Sequence, residues 1–218
     1  MRVSYFCSNL QKMTKKERAK IVMTELEKIY PEVPIPLNHR NAYELLVAVA
    51  LSAQTTDKKV NEVTPKLFSV APNPEKMAAL EEPEIKELIK EIGLSNSKAK
   101  NLKIMANQLL ERHNGEVPSN FEDLENLAGV GHKTASVVMS QAFGVPAFPV
   151  DTHIHRLMKQ WKLTEGKNVV QTENDAKKLF PKETWNKLHL QIIFYGREYS
   201  PARGNQERDF ITKMLFEK

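Results

Sequence analysis

Lys133 and Asp151 are the residues of this chain whose types and setting could do chemistry together. Lys133 comes two positions after the turn Gly129-Val130-Gly131, and Asp151 stands eighteen residues further on, after the stretch VPAFPV. An amine acts as a nucleophile only when part of it is unprotonated, and the positive end of a helix or partial burial disfavours the ammonium form. A carboxylate one helix and one Pro-containing return away can face that amine across a cleft. Each residue also has a plainer reading. The lysine could contact phosphate or solvent, and Asp-Thr is a good helix start, so Asp151 could be an N-cap.

Positioning the pair requires a short helix, a tight turn and a second helix. Ser119 is expected to cap FEDLENLA, the GVG turn follows, and KTASVVMSQAF runs to a stop at Gly144. Two glycines permit positive φ and remove side chains, so backbone N–H groups of the turn can approach a phosphate closely. The second helix adds its unsatisfied N-terminal donors and positive dipole end. Gly129, Val130, Gly131, His132 and Thr134 are therefore candidate DNA contacts that grip the backbone without reading bases. An αα-corner inside a helical core is the competing explanation.

The rest of the chain also reads as helix. Thr14 and Glu17 have capping-box spacing, and Val22, Leu26 and Ile29 share a face. Asn41 caps AYELLVAVALSA, which is apolar almost all round and so suits a buried central helix. A helix from Asp57 to Phe68 follows. Pro74 sits at a first helical position after Asn73. Pro83 opens EIKELIKEI, with Gly93 as a left-handed C-cap, and an amphipathic helix spans Lys98 to His113. Further helices are expected at Asp151–Trp161, Glu173–Phe180 and Glu183–Tyr195. No run alternates with period two between turn signals, so the expected fold class is all-α. Residues 35–145 would form a six-helix domain, with 1–34 and 146–218 together forming a second helical domain and a groove between them.

Composition narrows the classes without choosing one. The chain has 218 residues with 41% hydrophobic and 27% charged residues, as in an ordinary globular protein. The net charge of +5 suits a polyanionic partner but does not demand one. No run of about 18 apolar residues suggests a membrane span, and the N-terminus does not read as a secretory signal. The single cysteine, Cys7, excludes an internal disulfide and fits a reducing, cytoplasmic location. His153 and His155 are two apart on a helix and do not read as metal ligands.

LAGVGHKTASVV followed by PVDTHIHR resembles the hairpin and aspartate signature of the endonuclease III family of DNA glycosylases. LLVAVALSAQTTD, GLSNSKAKNL and HNGEVP agree in order and spacing, so the resemblance runs from about Thr14 to about Arg203. It implies a base excision repair enzyme that removes oxidised or damaged pyrimidines from duplex DNA and then cleaves the abasic site. Lys133 would be the Schiff-base nucleophile and Asp151 the catalytic carboxylate. Gln54 would fill the space left by a flipped nucleotide, and Leu94 would wedge the opposite strand. His153 and Arg156 would support Asp151 or touch phosphate. The implied partner is double-stranded DNA with damaged bases or abasic sites, bound by a monomer associated with a bacterial-type nucleoid.

The chain departs from the family pattern in two places. Relatives commonly hold a [4Fe–4S] cluster on four C-terminal cysteines. Here those positions fall on Ser200, Glu207, Phe210 and Phe216, so no cluster and no other cofactor is expected. Phe210, Leu215 and Phe216 would replace it by packing. Ala128 stands where a proline is common. Three alternatives share the same pattern: action on oxidised purines, action on mismatched pyrimidines, or a DNA-binding module without catalysis. Lys133 argues against the last, and against the adenine-excising and alkylation-repair branches.

Overall fold

The computed structural model describes residues 13–203 and 207–216, and within them the chain is helical with no strand. Cys7 and most of the N-terminal segment lie outside the described residues. The elements are α1 (Lys15–Ile29), α2 (Ala42–Ser52), α3 (Asp57–Val70), α4 (Pro74–Ala79), α5 (Glu82–Leu88) and α6 (Ser95–His113). They continue with α7 (Phe121–Glu125), α8 (His132–Phe143), α9 (Thr152–Gln160), α10 (Val169–Leu179), α11 (Trp185–Glu198) and α12 (Phe210–Phe216), with a 3-10 turn at Lys182–Thr184. No helix among the described residues is long and apolar enough to cross a membrane.

Local chemistry sets many of the boundaries. The Thr14 hydroxyl accepts from the Glu17 amide while the Glu17 carboxylate accepts from the Thr14 amide, the reciprocal capping box. Asn41 and Asn73 cap α2 and α4 through their side chains, and Pro74 takes the first position of α4. Several boundaries differ from the sequence reading; α10, for one, begins at Val169 rather than Glu173. Asn120, not Ser119, caps α7, because its Oδ1 accepts from the Asp123 amide. The helix opened by Pro83 ends at Leu88, and the left-handed residue beyond it is Leu94 (φ 60°) rather than Gly93. A Cβ on Gly93 would sit 3.7 Å from the Gln54 carbonyl, so this glycine lies against the neighbouring turn. α6 starts three residues early, and α12 is a further helix, organised by the buried Asp209.

Two apolar cores form. The first is built by α2 to α8 around α2, where Leu45, Leu46, Val47, Ala48 and Leu51 are fully buried. A helix apolar on every side has no face to offer water, so it takes the centre. The second gathers Val22 and Leu26 of α1, Phe148, Leu157, Trp161, Leu188, Tyr195 and Ile211. The VPAFPV stretch passes from one core to the other: Val145 packs on the first, while Phe148 is buried in the second and stacks on Phe180. Polar bonds hold the passage. The Asn186 side chain accepts from the Ala147 amide at 3.0 Å and donates to the Gly144 carbonyl at 3.1 Å.

Candidate active site and DNA interface

The hairpin forms as the glycines suggest, with one difference. Gly129 takes φ 78°, and a Cβ there would come within 3.0 Å of the Asn101 side chain. Gly131 needs neither allowance: its φ is −98°, and a Cβ on it would meet no atom within 4 Å. Its bareness leaves the turn open to the outside. Gly131 is also the N-cap of α8 and supplies no side-chain bond, so the first amides of the helix are uncapped. Val130 belongs to the inside. Its side chain is buried and its amide donates to Leu127 O at 3.1 Å, so it packs rather than presents a donor.

Lys133 is the second residue of α8 and is exposed. Thr134 beside it is half-buried. His132 is held by two carboxylates: Nδ1 lies 2.7 Å from Glu125 and Nε2 lies 3.1 Å from Glu173 of α10, with Phe121 stacked on its ring. Burial opposes its charging, but the two hydrogen-bonded glutamates outweigh this and raise its pKa above the ordinary value.

Asp151 is the N-cap of α9, its Oδ1 accepting from the Ile154 amide at 2.8 Å. The plainer sequence reading therefore describes its local role correctly. Both Asp151 and Lys133 exert their charge on one buried group, the His189 imidazole of α11, which brings the pair to a common neighbourhood. His189 has no exposed surface, and its Nδ1 lies 2.9 Å from the Trp185 carbonyl. A carbonyl only accepts, so Nδ1 carries the proton and Nε2 is a bare acceptor without a partner among the described residues. Burial pushes its pKa down to about 4.

Sequence reasoning missed His189, whose signal is burial alone. It also missed Ser136 and Ser140, whose buried Oγ atoms have no partner among the described residues. Their spacing of three and seven from Lys133 puts them on its helical stripe, a signal that was available.

His153 packs against Gly196 of α11, where a Cβ would meet its ring at 3.1 Å. Burial lowers its pKa, with Asp151 pulling the other way. Arg156 donates to the Ser200 hydroxyl at 3.2 Å and to the Ser200 carbonyl, so its guanidinium ties α9 to the end of α11. His155 reaches Thr172 of α10 instead. No group of three or more His, Cys, Asp or Glu side chains among the described residues is arranged to hold a metal ion. A cavity of about 660 Å³ lies between α1 and α11 and is lined by neither Lys133 nor Asp151.

Gln54 and Leu94 occupy the two turns at the ends of α2 and α6. Both are exposed and both take left-handed backbone, with φ 56° and 60°. Non-glycine residues avoid this region unless their surroundings fix it.

A helix, a glycine turn and an uncapped second helix, set beside an aspartate-capped third, define a helix-hairpin-helix repair fold. The chain belongs to the HhH-GPD superfamily of base excision DNA repair proteins, whose match spans residues 47–182. Within it the chain falls in the endonuclease III family. It is 46% identical over 191 residues to endonuclease III of Haemophilus influenzae, covering 88% of this chain and 90% of that one. A non-covalent endonuclease III–DNA complex superposes with a TM-score of 0.88 at 38% identity, over 94% of this chain and 100% of that one. A trapped covalent endonuclease III–DNA intermediate gives 0.86 at 40% identity, over 89% and 92%.

Proposed function

We propose that Lys133 is the nucleophile and Asp151 the catalytic carboxylate of a DNA glycosylase and AP lyase acting on damaged pyrimidines in duplex DNA. The observation that carries the assignment is their arrangement: an exposed amine at the uncapped start of α8, and a carboxylate at the start of α9, both charges reaching His189. Departure of the base builds positive charge on the sugar, which the Asp151 carboxylate stabilises. The Lys133 amine adds to C1′, the C1′–N bond to the base breaks, and the sugar opens to an iminium joined to Lys133 Nζ. The iminium acidifies the C2′ proton. Its loss forms the C2′–C3′ double bond, and the 3′ phosphate leaves with the C3′–O electron pair.

The reacting carbon is shielded inside a duplex, so the nucleotide must leave the stack at a cost of a few kcal/mol. Gln54 fills the vacated space and Leu94, 59% exposed on its turn, enters the opposite strand. The uncapped amides of His132, Lys133 and Thr134 hold a backbone phosphate. The enzyme acts as a monomer, since one chain carries the whole site.

The same reading dispenses with an iron–sulfur cluster. Four thiolates are required, and the sequence has only Cys7. Ser200 is fully buried and bonded to Arg156. Beside it the buried Asp209 carboxylate accepts from Tyr195 OH at 2.6 Å, from Gln160 Nε2 at 2.7 Å, and from the Thr212 amide and hydroxyl at 3.0 Å each. Ile211 and Leu215 provide the apolar filling, whereas Phe216, expected to pack inside, is 42% exposed beneath the Lys162 ammonium. The residues present do not fit a cluster.

Borohydride trapping on duplexes with one thymine glycol or one abasic site tests the assignment. Wild type should be trapped on both, and Lys133→Gln on neither while still binding DNA. Trapping of Lys133→Gln would remove Lys133 from the nucleophile's role. Trapping of wild type on the abasic site alone would move the base specificity elsewhere.

A further inference from the structure

Lys98 bonds to both turns proposed to enter DNA. Its backbone amide donates to the carbonyl of Leu94 at 3.0 Å, closing the first turn of α6. Its ammonium reaches the other way, donating to Leu51 O at 3.0 Å, Ala53 O at 2.7 Å and Thr55 Oγ1 at 3.2 Å. Those acceptors bracket Gln54. Lys98 is 7% exposed, and among the described residues no carboxylate pairs with it. All three N–H donors are used, and two of them meet carbonyls at the negative end of α2, where a cation is favoured. Burial alone pushes the Lys98 pKa below the ordinary lysine value, so the backbone oxygens hold an ammonium that solvation would otherwise reclaim.

The neighbouring geometry is consistent with a joint built for closeness. Gly93 lies against the Gln54 carbonyl, and Ala128 and Gly129 of the hairpin line the same small cavity as Lys98. Gln54 and Leu94 both hold left-handed backbone that non-glycine residues abandon unless it is enforced. An ordinary helix C-cap needs only one of these bonds.

We infer that Lys98 is a positioning residue that locks the Gln54 turn to the Leu94 turn, so that both side chains enter the duplex as one rigid unit. This rests on the insertion roles proposed above for Gln54 and Leu94. Lys98 touches no reacting atom. It fixes the separation of the two inserted side chains before DNA arrives, which removes the ordering cost from the flipping step.

The test compares full-length wild type, Lys98→Met, Gln54→Ala, Leu94→Ala and the Lys98→Met/Gln54→Ala double variant. Two single-turnover rates are read: excision of thymine glycol from duplex, and cleavage of single-stranded abasic DNA, where no nucleotide is flipped and no gap is filled. Lys98→Met should lower the ratio of the duplex rate to the single-strand rate about tenfold. The double variant should fall within about twofold of Lys98→Met on duplex, because two residues acting through one turn do not add. Equal losses on both substrates, or multiplied losses in the double variant, would overturn the clamp. So would an unchanged Lys98→Met beside an impaired Gln54→Ala. If Gln54→Ala and Leu94→Ala both excise as wild type, the insertion reading fails first, and the clamp with it. Should Lys98→Met not fold, Thr55→Val removes one bond of the three. It should reduce the duplex ratio by a smaller factor, and an unchanged ratio in that variant rejects the proposal.

Discussion

Nε2 of His132 lies 3.1 Å from the carboxylate of Glu173, tying the first residue of the hairpin helix to α10. The contact joins the two cores, since His132 opens a helix of the first and α10 packs in the second. With the Arg197–Asp57 pair at 2.7 Å between α11 and α3, it makes the junction polar.

The His132 pKa is raised in the folded protein, so the stability it confers is fully present below the unfolded value of 6.5 and is lost as pH rises through the folded value. Glu173→Gln should therefore lower Tm more at pH 6 than at pH 8. The pH-dependent part is at most about 1 kcal/mol, as for a partly exposed pair. The contact between Glu173 and Lys177 persists at both pH values and sets a constant offset. A Tm difference that grows with pH would contradict this.

His189 behaves oppositely. Its folded pKa of about 4 lies below the unfolded 6.5, so its contribution is complete above 6.5 and disappears as pH falls towards 4. The span corresponds to roughly 3 kcal/mol. His189→Asn keeps a donor for the Trp185 carbonyl and removes the titration. Urea unfolding at pH 7 and pH 4.5 should show a shallower acid loss in the variant than in wild type. Identical losses would mean that the imidazole is not buried neutral.

Asp209 receives four hydrogen bonds while 2% exposed. Asp209→Asn turns one acceptor into a donor that faces donors. Unfolding free energy should fall by about 2–3 kcal/mol, in the range for hydrogen bonds to a buried charge. Tm would drop by roughly 5–10 °C for a chain of this size. A drop under one degree would show that α12 is held by packing alone.

The sequence was most legible where structure is made locally. Thr14, Asn41 and Asn73 announce helix starts because the capping side chain and its amide lie within three residues. Asp151 was readable as a helix cap for the same reason. The left-handed turn at Leu94 was not readable, because the neighbouring Gly93 packs against the Gln54 carbonyl, 39 residues away in the chain. Lys98 and His189 were invisible: both are ordinary residues on helices, and only tertiary burial makes them unusual. The tie between Arg156 and Ser200 was not readable, because the two residues are 44 positions apart. The Asp209 network went unseen because its partners span α9, α11 and α12.

Gly131 separates what the fold requires from what the ligand requires. Its backbone suits any residue, and a methyl group there would meet no atom within 4 Å among the described residues beyond its chain neighbours. Gly131→Ala should therefore melt with wild type, while the methyl group stands in the approach of a phosphate and weakens duplex binding several-fold. Gly129→Ala should fail both ways, since its positive φ and the Asn101 contact are internal demands. A variant screen scored by thermal survival alone would therefore pass Gly131 as neutral, whatever the substitution costs in duplex binding.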